Sequence, residues 1–264
     1  MCLLFVAWRP QARHCLIVAA NRDEFHQRPA LPAGPWRDAT GVIGGRDLQG
    51  GGSWLGISAH GRFCALTNFR EPNRRRQAGA PSRGALVSEV LRSPQSTHAV
   101  LTGMLDRIEA YPGFNLLTAD HQGLWLLSNR TTPSLQPLPP GLYGISNGTL
   151  EAEWPKVRRG KTRIAHLLDE GEPSIDALFA LLADDQVAPD NELPHTGLDS
   201  AWERMLSPAF IRHSQYGTRC STVVLAETAA PLRLIERRFD AAGQPSGESD
   251  WTFDVDGQPV QVNA

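Results

Sequence analysis

Two apolar runs open the chain, LLFVAW at 3–8 and CLIVAA at 15–20, with the polar RPQARH between them. A short, continuous apolar run bounded by turn residues is the mark of a strand buried on both faces, so the pair predicts a hairpin. The next stretch, NRDEFHQRPA, is too polar and too proline-bearing for a strand and predicts a loop. Val42-Ile43, GGSWLGIS and RFCALTNF restore the β pattern, the last two flanking an Ala59-His60-Gly61 turn. From Ser82 the period lengthens. Ser82 is a candidate N-cap for a helix carrying Leu86, Val90 and Leu91, and a second helix over 97–110 stops at Tyr111-Pro112-Gly113.

In the second half, FNLLTADHQGLWLLSN predicts a hairpin turning at Asp120-His121-Gln122-Gly123, and LYGISNG another short strand. Helices follow at 157–168 and 174–183, then a polar, proline-bearing loop over 184–196. STVVLAE and LRLIERRFD predict a closing hairpin. Antiparallel hairpins interrupted by helix pairs point to an α+β fold with sheets built from distant hairpins and helices layered outside. With no internal repeat and no linker, one domain over 1–264 is expected. The glycine-rich GGRDLQGGGSW has neither GxGxxG nor a GK[ST] ending, so its glycines are read as turn residues.

Composition narrows the function classes. Of 264 residues, 41% are hydrophobic and 20% charged, as in ordinary globular chains, and the formal net charge is -2. That balance supplies no field for gathering nucleic acid, and Arg74-Arg75-Arg76 is read as a solvated loop. No apolar stretch approaches the roughly 20 residues that span a bilayer, and the start lacks the basic segment of a signal peptide. A cytoplasmic protein with no integral membrane segment is the expectation. Its four cysteines, Cys2, Cys15, Cys64 and Cys220, are expected to be reduced, and none stands in a CxxC spacing. Trp54, Trp125, Trp154 and Trp202 suit core or pocket wall. The eight histidines form no paired metal spacing, so no metal is expected.

Chemistry concentrates at the start. Removal of Met1 would leave Cys2 with a thiol and a free α-amine on one residue. The amine has a pKa of about 7.7–8.0 and the thiol about 8.5, so the amine can accept the thiol proton. A neighbouring guanidinium favours the thiolate, and Arg22 and Arg219 are the candidates. Asparagine carboxamides at strand ends, Asn68 in CALTNFRE and Asn147 in YGISNGT, can donate to a developing oxyanion without adding charge. Each is also an ordinary turn residue.

Six ordered blocks carry a family resemblance: MCLL at the start, ANRDEF at 20–25, GGSWLGI at 51–57, TNFRE at 67–71, GISNGTLE at 144–151 and YGTRCSTVVL at 216–225. Together they resemble the NRDE family, whose founding animal member is named for transport and Golgi organisation. The family is similar to the N-terminal nucleophile hydrolases, nearest the bile-salt hydrolase and penicillin V acylase group. The resemblance implies a four-layer αββα sandwich of two antiparallel sheets flanked by helices. It implies Cys2 as nucleophile, Arg22 and Arg219 as neighbouring cations, and Asn68 and Asn147 as oxyanion and positioning groups. Asn21, Asp23, Glu24, Trp54 and Phe69 would meet the substrate. The Asn-Arg-Asp-Glu order departs from the Arg-Asn-Leu-Asp spacing of those hydrolases, so Asp23 and Glu24 either contact substrate or hold Arg22 and shape the turn.

Two activities fit that reading. One is hydrolysis of an amide or thioester of a small or lipid-like substrate by an N-terminal cysteine, with no cofactor required. The other is a non-enzymatic role, suggested by the family's association with haem trafficking and lipid homeostasis, in which the same cleft carries haem, an acyl-CoA or a lipid.

Overall fold

The structure, a computed structural model, describes residues 2–74, 79–228 and 230–262, with the backbone alone at Cys2. Met1, Arg75 and Arg76 lie outside the described residues, as does the Cys2 side chain.

The opening hairpin forms as the pattern requires. Strands β1 (Cys2–Trp8) and β2 (His14–Phe25) pair antiparallel from Cys2↔Arg22 to Trp8↔Leu16. Leu4, Val6, Leu16 and Val18 pack into one core, while Leu3, Phe5, Ile17 and Ala19 pack into another. Both faces are covered, which explains why these runs are apolar at every position.

Twelve further strands complete two seven-stranded sheets. Strands β3 (Ala30–Pro35), β4 (Val42–Asp47), β5 (Leu55–Ser58), β6 (Arg62–Asn68), β7 (Phe114–Asp120), β8 (Gly123–Ser128) and β9 (Leu135–Leu138) follow in chain order as one sheet. The other contains β10 (Gly141–Ile145), β11 (Tyr216–Glu227), β12 (Arg233–Phe239), β13 (Pro245–Phe253) and β14 (Pro259–Gln261), in the order β10-β1-β2-β11-β12-β13-β14. One apolar core fills the space between the sheets. Helices α1 (Gly84–Arg92) and α2 (Thr97–Met104) cover the second-face core of the β3–β9 sheet through Leu86, Leu91 and Leu101. Helices α3 (Pro155–Asp169) and α4 (Ile175–Leu182) cover the other sheet through Val157, Ile164 and Leu178. The result is the expected α+β sandwich: helices, sheet, sheet, helices.

Three expectations change. The NRDEF stretch is strand, not loop: β2 runs through Phe25, with β1 on one edge and β11 on the other. Its polar side chains are matched there. The Asn21 carboxamide donates to the Leu182 and Ala209 carbonyls, both at 2.8 Å, and accepts from Ser221 Oγ at 2.6 Å. Ser82 is not the cap of α1. Arg83 occupies that position, with no side-chain cap bond, and the Ser82 hydroxyl turns to the Gly51 carbonyl. The second helix is α-helical only to Met104 and finishes as a 3-10 turn over Leu105–Ala110. A fifth helix, α5 (Ser200–Met205), and strands β9, β13 and β14 went unread because their short, polar sequences have no strong period.

A buried ion pair ties α5 to the sandwich. Arg70 Nη1 lies 2.6 Å from Glu203 Oε2, with the two side chains 5% and 4% exposed. The Arg70 guanidinium stacks 4.6 Å over Trp154, and its backbone N–H donates to the Asn147 carbonyl at 2.8 Å. Glu203 also accepts from the Thr196 amide at 2.9 Å. One residue thus holds the α5 wall, the 184–199 segment and the loop after β10 in fixed relation.

Two outcomes follow from this packing. A Cβ on Gly160 of α3 would sit 2.0 Å from the tip of the fully buried Phe5 ring. Gly160→Ala should therefore lower stability by about 1 kcal/mol or more in denaturant unfolding, overpacking outweighing the helix-propensity gain of about 1 kcal/mol; a stability increase would refute the close contact. Glu203→Ala should cost about 3–5 kcal/mol because Arg70 is left buried without its counter-charge, whereas Arg70→Met with Glu203→Leu should recover most of it. A loss below about 1 kcal/mol in the single variant would contradict this account.

Candidate functional site

The ladder sets the site. Cys2 pairs with Arg22, and Arg22 pairs on its other edge with Cys220. The β11 register shifts between Thr218 and Cys220, so Arg219 is an extra, bulged residue beside that rung. On the far edge of β1, the register runs through Leu4↔Ile145 toward Asn147, two residues past the end of β10. Three strands therefore converge on the chain's start.

At this end of the sandwich a cleft of about 390 Å³ opens between the sheets. Arg22, Asp23 and Glu24 from β2 line it with Trp54, Asn68 from the end of β6, and Ser82 to Gly84 at the start of α1. Arg22 is only 6% exposed, and its guanidinium lies 4.2 Å over the Trp54 ring. Arg28 closes one wall with a two-pronged bond to Asp47 Oδ2, from Nε at 3.0 Å and from a terminal nitrogen at 2.7 Å. Glu24 stands 3.7 Å from the same Arg28 and accepts from the Phe25 amide at 2.9 Å. The glycine-rich turn is the floor. Gly52 has φ +78°, and a Cβ there would sit 2.2 Å from the Gly84 carbonyl oxygen, so only glycine lets this loop meet α1.

The two asparagines come together. Asn147 is 1% exposed, and its Nδ2 donates to the Asn68 backbone carbonyl at 2.7 Å while its Oδ1 accepts from Ser146 Oγ at 3.3 Å. This leaves one Asn147 amide hydrogen outside that bond. The Asn68 carboxamide makes no hydrogen bond with a described residue and stands on the cleft wall.

Asp23 is buried, its Oδ1 accepting from Thr218 Oγ1 at 2.7 Å. Burial raises its pKa, and the positive charge of buried Lys156 opposes the rise. Arg219 sits at the back of the site rather than on its wall. Its Nη1 donates to the Phe25 and His26 carbonyls at 3.1 and 2.9 Å, and its buried Nε has no partner among the described residues. Burial and then the neighbouring Arg22 charge lower its pKa. Of the other thiols, Cys64 is pushed up to about 12 by burial and Cys15 is raised for the same reason, so neither is an activated nucleophile.

Two residues expected at the substrate lie elsewhere. Asn21 points away, spending its carboxamide on α4, the Ala209 carbonyl and Ser221. Phe69 lines a neighbouring cleft of about 240 Å³ with Glu71, Tyr111 and Arg130. Sequence reasoning missed Arg28, Asp47 and Arg83 on the cleft wall. The one available signal was the aspartate inside the glycine-rich turn, where a lone carboxylate calls for a cation.

A model of the family described as Transport and Golgi organisation 2 matches residues 1–241. The Transport and Golgi organization protein 2 homolog of Bos taurus is 34% identical over 261 residues, covering 90% of this chain and 92% of the relative. The Mus musculus homolog is 32% identical over 257 residues, covering 90% and 92%. Among solved structures, the mutant C2A conjugated bile acid hydrolase from Clostridium perfringens aligns with a TM-score of 0.51 at 11% identity, covering 100% of this chain and 97% of that one. At that identity the likeness is one of fold alone, two antiparallel sheets flanked by helices. By sequence, the chain belongs to the Transport and Golgi organisation 2 family.

Proposed function

We propose that this protein is an N-terminal cysteine acyl hydrolase acting on an amide or thioester of a small or lipid-like substrate. The observation that carries the reading is the convergence of Arg22, Asn68 and Asn147 on the start of β1, where Arg22 is the ladder partner of Cys2. The solved hydrolase with the same fold bears a substitution at its own Cys2, which agrees in kind with a nucleophile at this position.

The reaction needs Met1 removed, because an amide nitrogen is not a base. The freed α-amine takes the thiol proton, and Cys2 sulfur attacks the carbonyl carbon. The oxyanion receives N–H donors from Asn68 and Asn147, the latter held before reaction by its bond to the Asn68 carbonyl. The C–N or C–S bond breaks, and the leaving group takes the proton back from the ammonium. Water then attacks the thioester, the amine again serving as base, and releases the acid. Arg22 and, behind it, Arg219 favour the thiolate electrostatically. Asp23, Glu24 and Trp54 shape the cleft around the reacting carbonyl.

Incubation with a p-nitrophenyl acyl ester, followed by intact-mass and peptide analysis, tests this directly. The native protein should lack Met1 and carry one acyl adduct on Cys2. Cys2→Ala should abolish turnover, and Asn147→Ala should reduce kcat about 10²–10³-fold. Retained Met1, or turnover undiminished in Cys2→Ala, ends the hydrolase reading. A stoichiometric haem Soret shift that survives Cys2→Ala, with no acylation, would favour the carrier alternative, in which the buried, stacked Arg22 receives a ligand's anionic group without chemistry.

A further inference from the structure

We infer that Asn115 is a positioning residue of the site: its one buried carboxamide ties the chain beside Asn68 to the chain beside Asn147. The geometry stands by itself, and its consequence for turnover rests on the hydrolase reading. Asn115 is the second residue of β7, paired with Thr67 of β6 on one edge and with Ser128 of β8 on the other. It shares a face of the strand with Leu117 and Ala119, which belong to the core between the sheets. The residue is 0% exposed. Its Nδ2 donates to Thr67 Oγ1 at 3.1 Å and to the Gly148 carbonyl at 2.9 Å. Thr67 directly precedes Asn68, and Gly148 directly follows Asn147. With the Asn147 bond to the Asn68 carbonyl at 2.7 Å, these contacts close a ring that joins β6, β7 and the loop after β10.

A carboxamide is a costly way to fill this position. Asn115 Oδ1 is buried and accepts no hydrogen bond from a described residue, a desolvation penalty that an apolar side chain of the same shape would not carry. What the apolar side chain would lack is the donor pair. Without it the Gly148 carbonyl and the Thr67 hydroxyl would lose their common partner, and β7 would release the loop. The backbone amide of Arg70 holds the same loop one residue earlier, at the Asn147 carbonyl. Two successive carbonyls of the loop are therefore tied to two different parts of the β3–β9 sheet and its continuation. That leaves the Asn147 backbone little freedom to turn, so the sheet sets the direction of its carboxamide. A donor that is to meet a developing oxyanion tolerates little drift, because small misplacements at a reacting centre cost rate steeply.

Asn115→Leu keeps the shape and removes both donors, and two readouts follow it. In hydrogen exchange followed by mass spectrometry, amides of residues 144–151 should exchange about tenfold faster while those of β1, β2 and β11 keep their protection. In turnover of p-nitrophenyl octanoate, kcat should fall about tenfold or more with KM within about twofold, the split expected of a group that aims a transition-state donor. Thr67→Val, a smaller change that cuts only the bond to β6, should lower kcat by about twofold to fivefold on the same split. It also decides the matter if Asn115→Leu does not fold. Unchanged exchange at 144–151, or kcat and KM moving together in parallel with a general loss of protection, would overturn the proposal and make Asn115 an ordinary core residue. Absence of Cys2 acylation in the unsubstituted protein would overturn the hydrolase reading alone, since the exchange comparison still shows whether Asn115 holds the loop.

Discussion

Pairing of the Asn21–Arg22–Asp23–Glu24 segment, to β11 along its whole length and to β1 as far as Arg22, is the constraint on which the site depends. Asn21 and Arg22 are flanked by both β1 and β11, and the side chains along the strand alternate between its two faces. Polar residues survive in such a place only when each finds a partner. Asn21 does so through three hydrogen bonds on the helix-covered face, and Asp23 through Thr218. These bonds keep the strand straight to Phe25, which brings Arg22 level with Cys2. Without them the polar tetrapeptide would leave the sheet, and the first strand would lose its neighbour.

The electrostatics follow from that placement. Two guanidiniums, Arg22 and the bulged Arg219, lie close together behind the first strand, one resting on an indole face and the other donating to backbone carbonyls. Neither arrangement neutralises charge. Glu236, buried on the neighbouring β12, accepts from the Ala33 amide of the opposite sheet at 2.8 Å, and burial raises its pKa. This carboxyl joins the two sheets, with Arg238 standing 3.7 Å from it.

A second set of contacts holds the asparagines. Arg70 links the backbone of Asn147 to Glu203 and Trp154, and Asn147 in turn holds the Asn68 carbonyl. The loop that carries Asn147 is thus tied to a buried ion pair contributed by residues distant along the chain. The α5 wall carrying Trp202 is fixed by the same pair, so it and the Asn147 loop share one support.

Much of the fold was legible in the sequence. Strands buried on both faces show continuous apolar runs, and helices α3 and α4 show their period, because burial selects hydrophobic residues directly. The αββα layering was legible through the NRDE blocks. The NRDEF segment was misread because its strand state comes from partners more than 150 residues away, which local propensity does not register. Only tertiary structure decided that Asn21 serves α4 instead of the cleft, that Phe69 faces a different hollow, and that Arg28, Asp47 and Arg83 form its wall. Side-chain type follows from what a position must bury, and the chain records it locally. Side-chain partnership follows from where distant strands and loops meet, and that is settled only when the sheets close.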